Sequence, residues 1–329
     1  MAIDITSNYA GQIASQYWLP SLFEADTIQA GVVSVWDGVK DKINIRTMTF
    51  TGGLQPRNPT PTDSYGTYTV AEKILEVKDA MLYTTFNPRD LENTWNSVQL
   101  TDLLLSRQLP NEFASYVLYL TMQSVFAQDM EVGWWMSSTA FQVITDKADS
   151  RYRLQFCDGF MKLIVNDATT LNYASPATIT TSNIMTFFDG LIALITTNKK
   201  GLLKKYDRMK FLVSPATKNI WRQFILSATF KGIDYPNTGQ TVYAGYDIVT
   251  LNGFPDNTIL FAECTKDFFG AFHIGMNSTA DENNIEIART LPMNETHFMK
   301  ALAKFNTQIK FANEIACMTT LTSADFTVS

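Results

Sequence analysis

Two strand-like segments separated by a long stretch rich in glycine and proline constrain this sequence more than any other feature. Lys42–Arg46 alternates strictly between polar and apolar residues, and a similar alternation begins at Thr67–Val70. A period of two residues is typical of a β-strand. Thr51–Gly66 contains three glycines and three prolines and has neither a helical nor a strand period. The pattern predicts two long strands joined as a hairpin with a mobile tip.

This predicted hairpin needs a surface on which to lie. A hairpin of two strands is only marginally stable in water, and no neighbouring segment of the sequence offers a third strand. A second subunit would provide such a surface, so we expect the hairpin tip and the N-terminal segment to make contacts between subunits. The candidate contact residues are Gly53, Leu54, Arg57, Tyr65, Trp18 and Phe23.

The charge content also suggests a surface covered by other subunits. Charged residues make up 18% of the 329-residue chain, against about 25% in an average soluble protein. The net charge of −6 has the wrong sign for binding nucleic acid through phosphate neutralisation. We therefore expect the chain to assemble with itself and not to grip DNA.

Cysteine usage and the N-terminal sequence predict a reducing compartment. Cys157, Cys264 and Cys317 are odd in number and far apart, without the spacing of a disulfide framework. The N-terminus lacks the positive charges and apolar core of a signal peptide, so we expect no secretion. The uncharged stretch Phe113–Gln128 has 16 residues and several polar side chains, which is too short and too polar to span a bilayer.

The chain offers little for catalysis, because His273 and His297 are its two histidines. Cys264 paired with either of them would give a cysteine-dependent α/β hydrolase, which is the alternative function from a different class. The spacing of these residues and Cys317 matches no compact zinc-binding pattern. The common hydrolase, nucleotide-binding and zincin motifs are absent from the sequence. We expect no enzymatic activity, no cofactor and no metal.

Helices and strands are predicted to alternate in the second half of the chain. Before that, residues 1 to about 30 show no sustained period and predict a docking arm, and Leu109–Glu112 opens a long uncharged helix. From residue 177 onward the apolar spacing predicts a compact α/β region, and alternation from Ile309 to Cys317 predicts a C-terminal strand. The predicted elements of the α/β region are a helix from Ile184 to about Asn198, a strand at Met209–Val213, a helix opened by Ser214 and Pro215, and strands at Tyr246–Leu251, Thr258–Glu263 and Phe269–Ile274.

This order of elements resembles the major capsid proteins of tailed bacteriophages, with the Johnson fold first seen in the Hong Kong phage capsid. The resemblance covers nearly the whole chain, and its local matches are DRMKFLVSPATKNIWRQFI, GYDIVTLNGFPDNTILFAECTKDFFGAFHIG and KFNTQIKFANEIACM. It implies an α+β fold with four parts. These are an N-terminal arm (1–30), an extended β-hairpin loop (31–90), a peripheral domain with a long spine helix (91–177 and 286–329) and an axial α/β domain (178–285).

The resemblance implies a structural protein that self-assembles into an icosahedral shell enclosing double-stranded DNA. Its partners would be other copies in hexamers and pentamers, and the packaged DNA without specific binding. Portal, scaffold and decoration proteins are left open as further partners, and no membrane is involved. Such a protein would be found in the virion capsid after assembly in the cytoplasm of a bacterial host. Encapsulin nanocompartments share this fold and are the alternative within the same structural class.

The hairpin tip departs from the founding member of the resembled family. That member links subunits through an isopeptide bond from a lysine on the extended loop. From Gly52 to Gly66 the only cation here is Arg57, which stays protonated and cannot act as the amine nucleophile. There is also no long charged, coiled-coil-like segment before the arm. We therefore expect an uncleaved chain held in the shell by non-covalent contacts.

Overall fold

The computed structural model describes residues 7–9, 26–57, 66–87, 121, 127–227, 241–277, 285–290 and 296–328. Both helices and strands are present in these ranges, in agreement with the predicted α+β class. In chain order the elements are β1 (Ser7–Tyr9), α1 (Asp26–Gln29), β2 (Ser34–Trp36), β3 (Lys42–Gly52), β4 (Gly66–Glu76), β5 (Lys78–Phe86), α2 (Ala127–Met136), α3 (Phe160–Asn166), β6 (Leu171–Asn172), α4 (Ile184–Lys199), β7 (Met209–Val213), α5 (Pro215–Ser227), β8 (Val242–Tyr243), β9 (Tyr246–Thr250), β10 (Thr258–Glu263), β11 (Phe272–Met276), β12 (Ile285–Arg289), β13 (His297–Ile309) and β14 (Ala316–Thr319).

One six-stranded sheet contains three of the four strands predicted in the α/β region, β7, β9 and β10, whereas the fourth, β11, lies in the second sheet. The strand order of the first sheet is β6-β14-β10-β7-β9-β8, in which β7 and β9 are parallel and β10 is antiparallel to both of its neighbours. β7 leads directly into α5, where the Ser214 hydroxyl accepts a hydrogen bond from the Thr217 amide at 3.2 Å. That bond caps the first turn and leaves Pro215 at a position that needs no amide donor. The predicted strands at β7 and β10 and both predicted helices are confirmed.

The second six-stranded sheet is built around the long strand β13. The strand order is β1-β12-β13-β11-β2, and β5 also pairs with β13 over nine residues. β1 lies antiparallel to β12, so the N-terminal segment adds an edge strand to this sheet. The arm is therefore tied to the body of its own chain at Ser7–Tyr9.

The two hydrophobic cores lie on opposite faces of the first sheet. On β10, Leu260 belongs to the core that also contains Trp135 and Phe272, whereas Phe261 belongs to the core beneath α4 and α5. This follows from the two-residue period of a strand, which sends successive side chains to opposite faces. All five apolar residues of the predicted α4 stripe are buried in the second core: Ile184, Phe187, Phe188, Leu191 and Ile195.

Two sequence predictions are corrected by the strand assignments. The alternation from Ile309 to Cys317 is not one strand, because a 3₁₀ turn at Ala312–Glu314 separates β13 from β14. Lys310 is buried at this break, and its amide donates to the Ala271 carbonyl at 2.9 Å. The two long strands predicted for the hairpin are also followed directly by another strand that the sequence did not predict, since β5 begins one residue after β4 and pairs with β13.

The predicted domain boundaries remain a prediction, and the sheets cross them. β11 lies in the range assigned to the axial domain but pairs in the sheet of β13, while β14 does the reverse. Of the predicted spine helix, the structure describes the C-terminal part as α2, and most of residues 110–126 lie outside the described residues. No helix among the described residues is long and apolar enough to span a membrane.

Candidate assembly interface

β3 and β4 form a two-stranded antiparallel ribbon, and no third strand of the described residues pairs with it. Their register runs from Lys42 opposite Glu76 to Gly52 opposite Gly66, eleven residues on each strand. At about 3.4 Å per residue the ribbon is about 34 Å long. The predicted pairing of the two strands is confirmed.

The outer half of the ribbon has one face that is largely apolar. Met48 is paired with Val70, and Phe50 is paired with Tyr68. Paired residues lie on the same face of a ribbon, and the Phe50 and Tyr68 rings are 4.9 Å apart between centroids. All four side chains are more than half exposed. We call these four residues the apolar face.

The opposite side of the outer ribbon is polar. Thr49 is paired with Thr69, and Thr51 with Thr67, and all four are exposed. We call these residues the threonine face. Large apolar side chains are therefore concentrated on one side of the ribbon, and no part of the described chain covers them. An apolar surface arranged in this way is typical of a protein–protein contact.

The base of the ribbon is fixed to the sheet of β13. The side-chain amide of Gln308 donates to the Ile74 carbonyl at 2.7 Å, and that of Asn306 donates to the Glu76 carbonyl at 2.6 Å. Leu75 is fully buried, and a Cβ atom placed on Gly275 of β11 would lie 2.8 Å from its Cδ2. The ribbon thus has a rigid root and an uncovered outer half.

Few ion pairs lie along the ribbon. Arg46 and Glu72 pair across the strands at 2.8 Å on the apolar side of the ribbon, nearer the root. Lys73 lies 3.5 Å from Asp167, which follows α3. Hydrogen bonds from Thr169 and the Lys73 ammonium lower the pKa of Asp167 against the opposing effect of burial. The Arg46–Glu72 pair therefore forms a charged boundary between the apolar face and the root of the ribbon.

Three of the six predicted contact residues lie among the described residues, next to the outer end of the ribbon. Gly53, Leu54 and Arg57 follow β3 and are exposed, and Leu54 is 103% exposed relative to its reference. Their contact with another subunit stays a prediction. Tyr65, Trp18 and Phe23 lie outside the described residues. Sequence analysis missed the four residues of the apolar face, although strand alternation carried outward from Lys42–Arg46 would have placed them on one side.

The three residues considered for catalysis do not form a reactive pair. Cys264 is buried and its thiol contacts the Ala262 carbonyl at 3.5 Å, and burial raises its pKa to about 12. The Trp36 indole donates to Nδ1 of His273 at 2.9 Å. Burial and the nearby Lys310 ammonium lower the pKa of His273 to about 4. His297 stacks on Phe86 in β5, with 6.0 Å between ring centroids.

The environments of Cys264 and His273 favour structural roles for these two side chains. A thiol with a raised pKa holds almost no thiolate near neutral pH, and a neutral histidine that already accepts a hydrogen bond is typical of a core residue. Within the part of the chain that the structure describes, no group of three or more His, Cys, Asp or Glu residues could hold a metal ion.

The comparisons with known proteins bear on the fold of the chain. No family model matches the sequence, and no curated protein is similar to it in sequence. Solved structures are similar in fold along most of the chain.

The satellite phage P4 procapsid, which includes the size determination protein Sid, is similar with a TM-score of 0.57 and 9% identity, covering 94% of this chain and 99% of that one. The capsid of Myoviridae phage XM1 has a TM-score of 0.52 and 13% identity, covering 90% and 92%. A virus-like particle from Pyrococcus furiosus has a TM-score of 0.50 and 7% identity, covering 94% and 98%. The chain therefore has the Hong Kong phage capsid-like fold expected from the sequence.

Proposed function

We propose that this chain is the major capsid protein of a tailed bacteriophage. Copies assemble as hexamers and pentamers into an icosahedral shell that encloses double-stranded DNA. The observation that carries the proposal is the ribbon, because a chain with a capsid-like fold projects an apolar face that nothing in the described chain covers.

The occupant of the apolar face is a second copy of the chain. The ribbon's root is fixed to its own subunit through Gln308 and Asn306, so its outer half points away from the surface that anchors it. Burial of Met48, Phe50, Tyr68 and Val70 would contribute about 1.5–3 kcal/mol for each fully buried side chain. A low charge content of 18% supports extensive contact between copies.

The shell's interior would face DNA without gripping it. A net charge of −6 repels the phosphate backbone on average, and packaging needs DNA to slide along the inner surface. Two of the three compared structures are phage particles, which favours a phage shell over the encapsulin alternative. The buried Cys264 with its raised pKa disfavours the hydrolase alternative.

Sedimentation velocity of the purified chain tests the proposal. We expect large closed particles in addition to free subunits, either alone or after a scaffold protein is supplied. Nuclease-treated particles from the source cells should contain protected double-stranded DNA. Monomers or dimers alone, across salt and protein concentrations and with scaffold present, would contradict shell formation. Particles that hold a cargo enzyme and no DNA would contradict the phage assignment.

A further inference from the structure

Glu131 is a buried carboxylic acid at the point where three segments of the chain meet. It lies on α2 and is 4% exposed. Its two oxygens accept hydrogen bonds from the Thr27 amide at 3.1 and 3.3 Å, and Oε1 also accepts from the Thr27 hydroxyl. Thr27 belongs to α1, which lies at the C-terminal end of the predicted N-terminal arm (1–30) and which we call the arm root. The carboxyl group therefore joins the root of the arm to the helix.

The surroundings of this contact leave it no access to solvent. The Trp135 indole donates to the Thr27 hydroxyl at 3.1 Å, and its ring packs edge-on against Phe254 with 4.9 Å between centroids. In the loop after β9, a Cβ atom on Gly253 would lie 2.4 Å from the backbone carbon of Glu131. The arm root, α2 and this loop thus close around one ionisable group.

We propose that Glu131 is a protonation-sensitive latch that holds the arm root on α2 when its carboxyl group is neutral and loosens when the group ionises. This latch is a property of the folded chain and does not depend on shell assembly.

The charges that face Glu131 support this assignment. Asp26 of α1 is the neighbouring charge that acts on it, and its negative charge disfavours a second carboxylate. On α2 itself, Asp129 is directed to Arg153 at 3.9 Å. The loop after β9 approaches Glu131 with the backbone at Gly253. Among the described groups, no cation acts on the carboxylate of Glu131.

Burial is the dominant effect and raises the pKa of Glu131 from 4.5 to about 7, against the hydrogen bonds from Thr27 that lower it. Because the pKa is raised in the latched state, protonation stabilises that state. The stabilisation is complete below pH 4.5 and is lost as the pH rises through 7. With an open-state pKa at the ordinary value, the opening equilibrium should increase roughly 30-fold between pH 5.5 and pH 8.5.

Hydrogen exchange at Thr27 measures the latch directly, because its amide donates to Glu131. The full-length chain is compared at pH 5.5 and pH 8.5, and each rate is corrected for the intrinsic pH dependence of exchange. We expect protection at Thr27 to fall roughly 30-fold in the wild type. It should be nearly independent of pH in Glu131→Gln, which keeps the shape of the side chain and cannot ionise.

Asp129→Asn is the matched control, since Asp129 is a partly buried carboxylate on the same helix whose pKa is also raised by burial. This variant should retain the wild-type pH dependence. Protection that is constant or increases with pH in the wild type would overturn the proposal, even if Glu131→Gln fails to fold. Loss of the pH dependence in Asp129→Asn would also overturn the proposal, because Asp129 would then be the group that titrates.

Discussion

Gly52 and Gly66 lie directly opposite each other at the outer end of the ribbon, as the last register pair of β3 and β4. Deletion of residues 53–65 would make them consecutive. They would then be the two central residues of a hairpin closed by Thr51 and Thr67, and Gly-Gly is suited to the type I′ turn that such a hairpin needs.

We therefore predict that the deletion of residues 53–65 leaves a folded, soluble subunit that assembles poorly. The ribbon root depends on Leu75, Gln308 and Asn306 and is untouched by the deletion. Circular dichroism and thermal unfolding would check the fold, and sedimentation would check assembly. Shells formed in normal yield by the deleted chain would show that the tip contributes nothing to subunit contacts.

A second prediction separates the two faces of the ribbon. Phe50→Asp places a charge on the apolar face and should reduce the yield of particles strongly, because a buried unpaired carboxylate is costly. Thr51→Asp places the same charge at the next residue, on the threonine face, and should have little effect. Both positions are exposed in the subunit, so Thr51→Asp should lower the free energy of unfolding by no more than about 0.5 kcal/mol, and Phe50→Asp by about 1 kcal/mol, because it loses the ring contact with Tyr68. Equal particle yields from the two variants would refute docking through the apolar face.

The contact between Gly253 and the backbone of α2 gives a prediction about stability. Gly253→Ala would bring a methyl group within 2.4 Å of the Glu131 backbone carbon. Because backbone atoms cannot move aside as a flexible side chain can, we expect a loss of about 1–3 kcal/mol in the free energy of unfolding. Gly201→Ala is the control, since nothing lies within 4 Å of its Cβ position. Chemical denaturation that finds the two variants equally stable would contradict this contact.

Cys264 should behave as a core residue and not as a nucleophile. In the native chain at pH 8 its thiol should be unreactive toward a disulfide reagent, because it is buried and burial raises its pKa to about 12. Cys264→Ala should cost about 1–2 kcal/mol in the free energy of unfolding and leave assembly intact. Rapid labelling of Cys264 in the folded chain, identified by peptide mass spectrometry, would instead support a reactive site.

His273 should make the chain less stable in acid. Its pKa is lowered from 6.5 to about 4 in the folded state, so its contribution to stability is present above pH 6.5 and is lost as the pH falls through 4. In His273→Asn the amide oxygen can still accept from Trp36, but the side chain no longer titrates. We expect its free energy of unfolding to vary less between pH 6.5 and pH 4 than that of the wild type. Identical pH profiles for the two chains would disprove this role.

Local patterns predicted the α/β region well. The strand at Met209–Val213 and the helix from Pro215 were predictable because a buried strand, a serine cap and a proline follow one another directly. The α4 stripe was predictable because its apolar residues have helical spacing, and all of them are buried. In these segments local propensity and tertiary packing favour the same structure.

Long-range pairing was not predictable from the same patterns. The alternation that ends at Cys317 is interrupted by the 3₁₀ turn at Ala312–Glu314, and the strands on its two sides, β13 and β14, pair with distant segments in different sheets. The apolar face of the ribbon follows from strand alternation, but its importance depends on knowing that nothing in the described chain covers it. The contact of Glu131 with Thr27 spans more than 100 residues and has no local signal at all.

The central claim is that copies of this chain form a closed shell in which each ribbon lies on a neighbouring subunit. Electron cryomicroscopy of purified particles tests it most directly. We predict an icosahedral shell of pentamers and hexamers, with density from Met48 and Phe50 packed against a second copy. Open aggregates, particles of another symmetry, or a shell in which the apolar face points to solvent would contradict the account.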